Sequence, residues 1–299
     1  MKKVNVSYAV IAAMGVALVA SQASAEELWN PHLRGVDEGM AAGALPPQGV
    51  YFVDDSYWLS FESHDGSGKT TGTQLDGLVE VPILLWNPGV KVLGADYAVG
   101  VAQPFDYTSL SGNGVTGDGH WGTYNTIAIP GILSWSLPHD LHASASLKVY
   151  IDDPSSSSAH PPSNGGAGSG NSFWTLEPGA GLSWLHDGWN VGAQVLFDHN
   201  FKDSATGYDS GDMIDVDYTA TKTFGKWVAG VGGYQENQLQ RDQINGVSRA
   251  GTVRLTSGVG PIVGYNFGPI DVSATYNHEI TTHHDFGGDF YNLRAVVPF

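Results

Sequence analysis

The sequence contains no cysteine in its 299 residues. This absence excludes a disulfide framework, a zinc–thiolate centre and a thiol nucleophile, so the fold must be held by packing and backbone hydrogen bonds. Basic residues are also scarce, because 13 Lys and Arg face 30 Asp and Glu and give a formal net charge of −17. Since phosphate binding needs clustered cations, this balance argues against nucleic acid as a partner.

Long apolar runs are missing after the first 25 residues. Two lysines near the start, an apolar run over 8–20 and small residues over 23–25 follow the order of an export signal, with cleavage expected before Glu26. A membrane helix needs about 20 consecutive apolar residues, and no later stretch reaches that length without a charge, Gly or Pro. We therefore expect a signal peptide over 1–25 and no membrane helix in the mature chain.

The last nine residues place an apolar side chain at every second position. The apolar set is Tyr291, Leu293, Ala295, Val297 and Phe299. Successive side chains of a strand point to opposite faces, so this segment has one apolar face and one that carries Asn292 and Arg294. The 40 glycines of the chain are typical of many strands joined by turns. The pattern indicates a β-strand that ends a lipid-facing barrel.

Strand-like segments continue through the chain from residue 48. We predict twelve, over 48–63, 71–86, 89–103, 121–136, 141–152, 172–185, 189–201, 211–224, 226–237, 251–266, 269–281 and 288–299. Long polar connections alternate strictly with turns of two or three residues, as expected of an outer-membrane barrel with long external loops and tight periplasmic turns. The sequence therefore predicts an all-β fold, an up-and-down antiparallel transmembrane β-barrel of about 12 strands over 48–299, with a periplasmic or lumenal N-terminal segment over 26–47.

Aromatic residues border the short turns. They are Trp86, Trp135, Trp184, Trp189, Trp227 and Phe267, with Phe299 at the chain end. Aromatic rings favour the level of the lipid headgroups, so we expect these residues to form the periplasmic girdle of the barrel. A soluble barrel would show the same alternation of polar and apolar residues along its strands. The export signal, the turn aromatics and the terminal Phe299 favour the membrane interpretation.

Several segments of the chain resemble one bacterial family. They include Ala44-Leu-Pro-Pro-Gln-Gly-Val-Tyr-Phe52, Phe173-Trp-Thr-Leu-Glu-Pro-Gly179, Thr206-Gly-Tyr-Asp-Ser-Gly-Asp212 and Gly264-Tyr-Asn-Phe-Gly-Pro269. They resemble the outer-membrane family of meta-pathway phenol-degradation proteins, whose members are regarded as transporter barrels. The resemblance implies an outer-membrane barrel that admits hydrophobic or aromatic nutrients, and it supplies no catalytic residue.

The polar face of the predicted strands supplies the candidate lumen. We expect the solute path to be lined by Glu177, Asp215, Asp217, Arg254 and Arg294, with Trp58 and Phe52 as aromatic contacts. Eight strands enclose little more than side chains and sixteen enclose an aqueous pore, so about twelve should hold a narrow channel. The segment 26–47 is the candidate plug or a periplasmic tail. Charges that only pair across the lumen and conduct nothing are the alternative.

Patterns that suggest other chemistry are weak. Residues 66–70 resemble the end of a P-loop but precede a strand, and no Gly-x-Ser-x-Gly motif is present. His278, His283, His284 and Asp285 could bind a metal, although their spacing matches no defined site. We therefore predict no enzyme activity, no cofactor and no metal.

These observations together predict a channel for passive uptake of small hydrophobic or aromatic compounds in the outer membrane of a Gram-negative cell. The expected partners are outer-membrane lipids and lipopolysaccharide, the barrel-assembly machinery through the C-terminal strand, and the solutes themselves. A structural or adhesive barrel with a closed lumen and an outer-membrane lipid hydrolase are the alternatives.

Overall fold

The computed structural model describes residues 28–113, 115–157, 159–161 and 168–299, and the expected signal peptide lies outside them. The described residues form strands and turns. In chain order the strands are β1 (Gly49–His64), β2 (Thr70–Asn87), β3 (Lys91–Val92), β4 (Ala95–Ala102), β5 (Phe105–Gly112), β6 (Val115–Thr123), β7 (Ile127–Ser136), β8 (Leu141–Tyr150), β9 (Thr175–His186), β10 (Trp189–Asn200), β11 (Tyr208–Asp209), β12 (Met213–Phe224), β13 (Trp227–Gln238), β14 (Gln243–Ile244), β15 (Val247–Ser248), β16 (Leu255–Asn266), β17 (Asp271–His283), β18 (Phe286–Gly287) and β19 (Phe290–Pro298). Within these ranges no helix is long and apolar enough to cross a membrane.

The long strands close into one antiparallel barrel. Each pairs with its neighbour in the chain, and β1 pairs with both β2 and the last strand, β19. The wall has twelve strand positions because β4 with β5 fills one position and β6 with β7 fills the next. The prediction of a closed barrel of about twelve antiparallel strands is confirmed.

One connection that the sequence placed in a loop is instead part of the wall. Residues 104–120 contain β5 and most of β6, a hairpin that extends the wall beyond Pro104. Proline has no backbone N–H to donate to the ladder, and here it separates β4 from β5. The strand β5 pairs with residues 74–80 of β2, whereas β4 pairs with residues 83–86 of the same strand. The prediction of a polar loop over 104–120 was wrong. Gly112 and Asn113 are residue types typical of turns, and the short strands on either side of them were therefore not recognised from the sequence.

The short turns all lie at one end of the barrel, which we call the short-turn end; the opposite end is the long-loop end. Asp187 and Gly188 have φ values of 47° and 76°, and they connect the directly paired residues His186 and Trp189. Two central residues with positive φ define a type I′ turn, whose twist matches that of the flanking strands. This geometry explains why Asp-Gly occupies the connection.

Candidate functional site

The described part of the N-terminal segment, residues 28–47, lies inside the barrel. Its backbone bonds to side chains of the wall: the Asp37 amide donates to Asp217 at 2.8 Å and the Gly43 amide to Ser183 at 2.9 Å. The segment approaches the wall so closely that a Cβ on Gly43 would stand 2.0 Å from the carbonyl oxygen of His142. Glycine is therefore required at this contact, and the segment fills much of the lumen.

Two buried arginines fasten this segment. Arg34 donates to Glu236 at 2.8 Å, to Asp285 at 2.7 Å and to the carbonyl of Phe286 at 2.6 Å. From the wall, Arg294 donates to the carbonyls of Glu38, at 2.8 Å, and of Val36, and its Nε donates to Asp55 at 2.9 Å. Charge-assisted hydrogen bonds are about twice as strong as neutral ones, so these two side chains are the main anchors.

Acidic residues form a row across four neighbouring strands on one side of the lumen. The register pairs Lys148 of β8 with Glu177 of β9 and Asp215 of β12 with Glu236 of β13, and Asp198 of β10 lies between these pairs. All five side chains face inward. Like charges on adjacent strands repel one another, so this side of the lumen needs counter-charges. Lys148 supplies one, at 2.8 Å from Glu177.

The N-terminal segment supplies another counter-charge through His32. Its two ring nitrogens lie 3.6 Å from Glu177 and 3.4 Å from Asp217. Burial lowers the pKa of His32, but hydrogen bonds to Asp217 and Glu177 outweigh burial and raise that pKa well above its usual value. Burial, reinforced by the charge of Asp217, raises the pKa of Glu38 to about 8. The rise in pKa therefore comes from neighbouring carboxylates for His32 and mainly from burial for Glu38.

The opposite side of the lumen is apolar and partly empty. A cavity of about 680 Å³ lies between the N-terminal segment and the wall, and its lining comes mainly from strands β1, β2, β4, β7, β8, β16, β17 and β19. Its apolar lining includes Met40, Val53, Val79, Val81, Ile83, Leu85, Ala102, Ile127, Ile129, Ile132 and Val296. At the short-turn end the cavity reaches Pro47, Tyr265 and Asp271. At the other end it reaches Tyr124 and Ser169.

A buried connection covers the long-loop end of this cavity. The amide of Asn171 and the side chain of Asn125 exchange hydrogen bonds, at 2.8 Å and 2.9 Å, and Asn171 also donates to the hydroxyl of Tyr124 at 3.0 Å. That hydroxyl in turn donates to the carbonyl of Asn30 at 3.0 Å. The loop after β8, the wall and the N-terminal segment are thus joined at one point.

The structure separates the residues that the sequence assigned to the solute path. Five of them are buried and face inward: Glu177, Asp215, Asp217, Arg254 and Arg294. Of these five, Arg294 lines the cavity, while Arg254 bonds to Asn30 at 2.7 Å and the three acids lie on the acidic side. Trp58 is 45% exposed on the face of β1 opposite the buried Tyr57, and Phe52 shares that outer face.

The outer face follows the predicted pattern in most strands. The seven aromatics of the predicted girdle stand next to the short turns or the chain end, and Trp86, Trp227, Phe267 and Phe299 are each more than half exposed. The strands β1 and β2 differ, because several of their apolar side chains, among them Tyr57, Val79 and Val81, face inward while Asp54 and Glu80 lie on the outer face. This reversal creates the apolar side of the lumen.

The metal site considered in the histidine-rich turn does not assemble. His278 bonds to Asp289 at 2.8 Å, and Asp285 is engaged by Arg34. Among the described residues, three potential ligands meet elsewhere: His32, Asp37 and Asp217 have ligand atoms within 4.8 Å of one another. Sequence spacing could not reveal this group because Asp217 lies 180 residues after Asp37 in the chain.

Comparisons with known proteins agree with this architecture. A family model described as "Putative MetA-pathway of phenol degradation" matches residues 62–295. The chain belongs to this family. The resemblance seen in the sequence is thereby confirmed. A search of curated proteins gives no match.

A search of solved structures finds outer-membrane barrels, and one of them shares the fold of this chain. The COG4313 outer membrane channel from Pseudomonas putida F1 has a TM-score of 0.74 at 15% identity, over 88% of this chain and 100% of that one. The translocator domain of autotransporter NalP from Neisseria meningitidis scores 0.48 at 10% identity, over 86% and 91% of the two chains. The CymD monoaromatic hydrocarbon channel scores 0.41 at 12% identity, over 84% and 89%.

Proposed function

We propose that this protein is a passive outer-membrane channel for small hydrophobic compounds, aromatic ones among them. The observation that carries the proposal is the apolar cavity between the N-terminal segment and strands β1, β2, β4 and β7. Pockets that bind small apolar molecules are largely hydrophobic with a few polar groups that orient the ligand. Here such polar groups include Asp37, Asp106, Lys148 and Arg294. Membership of a family described by phenol degradation supports the same solute class.

The two sides of the lumen have different roles in this proposal. The acidic side binds the N-terminal segment through His32, Arg34 and the backbone amides. With that side occupied, the apolar side is left for solutes. Neutral apolar molecules gain from contact with such a surface, whereas ions would lose their hydration. We therefore place the path along Val81, Ile83 and Ile129, past Arg294, rather than along Glu177, Asp215 and Asp217.

The cellular setting belongs to the proposal as well. Residues 1–25 would be removed on export, the short-turn end would face the periplasm, and the long loops would contact lipopolysaccharide. The alternating C-terminal strand β19 would be the segment that the barrel-assembly machinery recognises. No reaction chemistry is required for passage along the cavity.

Solute flux into proteoliposomes tests the function. We expect vesicles that contain the protein to admit small neutral aromatic solutes faster than protein-free vesicles. Replacing Val81, which lines the cavity, by Trp should slow this flux at least several-fold. The matched control is Val101→Trp, because Val101 lies on a neighbouring strand and is 44% exposed on the outer face.

Two other results would contradict the proposal. Equal flux with and without the protein would favour a closed barrel whose loops do the work. Ester hydrolysis by the purified protein that is lost on changing one Ser or His would favour a lipid hydrolase.

A further inference from the structure

The acidic side of the lumen is more negative than its counter-charges explain. Around His32 lie five carboxylates: Asp37, Glu177, Asp198, Asp215 and Asp217. Lys148 is the lysine in this group, 3.6 Å from Asp37 and 2.8 Å from Glu177. With Lys148 and His32 set against these five, acidic groups remain in excess by three. Burying isolated charges costs far more than burying paired ones, so the excess carboxyl groups must hold protons or bind a further cation.

Individual atoms point to the same need. Asp198 and Asp215 are 0% and 1% exposed, and the side chains that approach their carboxyl oxygens are other carboxyl groups, those of Glu177 and of each other. One oxygen of Asp37 also lacks a hydrogen-bond partner among the described residues. Buried polar atoms in folded proteins are normally satisfied, and those that are not commonly indicate an ion or a water molecule.

The geometry supplies a place for such an ion. Ligand atoms of His32, Asp37 and Asp217 come within 4.8 Å of one another. One imidazole nitrogen and two carboxylate oxygens form a donor set that suits first-row divalent cations such as Zn²⁺ or Mn²⁺. Two of the ligands belong to the N-terminal segment and the third to the wall strand β12.

We propose that the lumen binds one first-row divalent cation through His32, Asp37 and Asp217, with Asp198 and Asp215 supplying the surrounding negative charge. The ion would join the N-terminal segment to the wall and would relieve the repulsion along the acidic row. One of the three ligands, Asp37, also lines the apolar cavity, so the test measures metal binding directly and does not use solute flux.

The test uses the full mature protein in detergent, stripped with EDTA and then titrated with ZnCl₂ or MnCl₂. We expect bound metal to approach one ion per chain by mass spectrometry and the Tm to rise by roughly 5 °C at saturating metal. His32→Gln and Asp37→Asn should each weaken binding at least tenfold. The matched control is His186→Gln, an exposed histidine that bonds to Asp140 outside this cluster.

Metal titration of the wild-type protein is decisive even where a variant fails to fold. No stoichiometric binding and no change of Tm between EDTA and metal would overturn the proposal. Unchanged affinity in both His32→Gln and Asp37→Asn would overturn the assignment of ligands, and with it this site.

Discussion

Replacing Arg294 should have two separable effects. One is on the binding of the N-terminal segment inside the barrel, which we call its seating, and the other is on the stability of the barrel wall. The guanidinium of Arg294 donates to the carbonyls of Val36 and Glu38 on the segment and to Asp55 on the wall. Hydrogen bonds to charged groups contribute about 1.5–3 kcal/mol each. Loss of the two bonds to the segment should weaken its seating by roughly 3–6 kcal/mol, which is at least a hundredfold change in the population of the unseated state.

The variant Arg294→Met has a second effect on the wall. Asp55 is buried. Without Arg294 it keeps a hydrogen bond from Asn292 but loses the positive charge that Arg294 places next to it. Breaking a buried pair by removing one partner costs about 3–5 kcal/mol, whereas replacing both partners by apolar residues is often neutral. The double variant Arg294→Met with Asp55→Leu should therefore recover most of the lost Tm.

Planar-bilayer recordings distinguish the two effects. We expect both Arg294→Met and the double variant to show frequent openings of higher conductance, because neither can hold the segment. Arg249→Met, which removes an exposed arginine at the long-loop end, is the matched control and should behave as wild type. Wild-type recordings from the double variant would refute the view that Arg294 anchors the segment.

Three further predictions follow from other contacts. Deleting residues 28–47 should open the lumen to hydrophilic solutes that the intact protein excludes, and unchanged size exclusion in liposome swelling would contradict the plug assignment. Asn125→Ala removes the side chain that bonds to Ile151 and Asn171, at 2.7 Å and 2.9 Å, so buried backbone groups lose partners worth roughly 1–3 kcal/mol each; we expect a lower Tm and faster proteolysis of the loop after β8. Hydrogen bonds from Ser67 and the Lys69 amide lower the pKa of Asp65 to about 2, so its support of the turn before β2 is present above the usual carboxylate pKa and is lost as pH falls toward 2. Hydrogen exchange at the Ser67 and Lys69 amides should quicken over that range in the wild type, and Asp65→Ala should show fast exchange at every pH.

The barrel itself could be predicted because its signals are local. Strand ends at residues 87, 136, 186 and 224 lie next to short turns whose Asp, Asn, Gly and Pro residues identify them. Alternation in strands such as β12 also indicated which side faces outward, since one phase carries Asp215 and Asp217 and the other is apolar from Ile214 to Ala220.

The apolar side of the lumen could not be predicted in the same way. In β1 and β2 both phases carry apolar residues, and Glu80 alternates with Val79 and Val81, so alternation alone does not indicate which phase of these strands faces lipid. The contacts of His32 and Arg34 with residues 140 to 250 positions away depend on the closed barrel. Such contacts have no sequence spacing to reveal them.

The central claim is that small aromatic molecules occupy the apolar side of the lumen while the N-terminal segment stays seated. Because the chain contains no cysteine, Val81→Cys introduces a single thiol into the cavity, and Ser248→Cys introduces one in the exposed strand β15. We expect a small neutral aromatic solute to slow modification of Cys at position 81 by a maleimide, in a saturable way, and to leave position 248 unaffected. Equal modification rates at position 81 with and without the solute would contradict the claim.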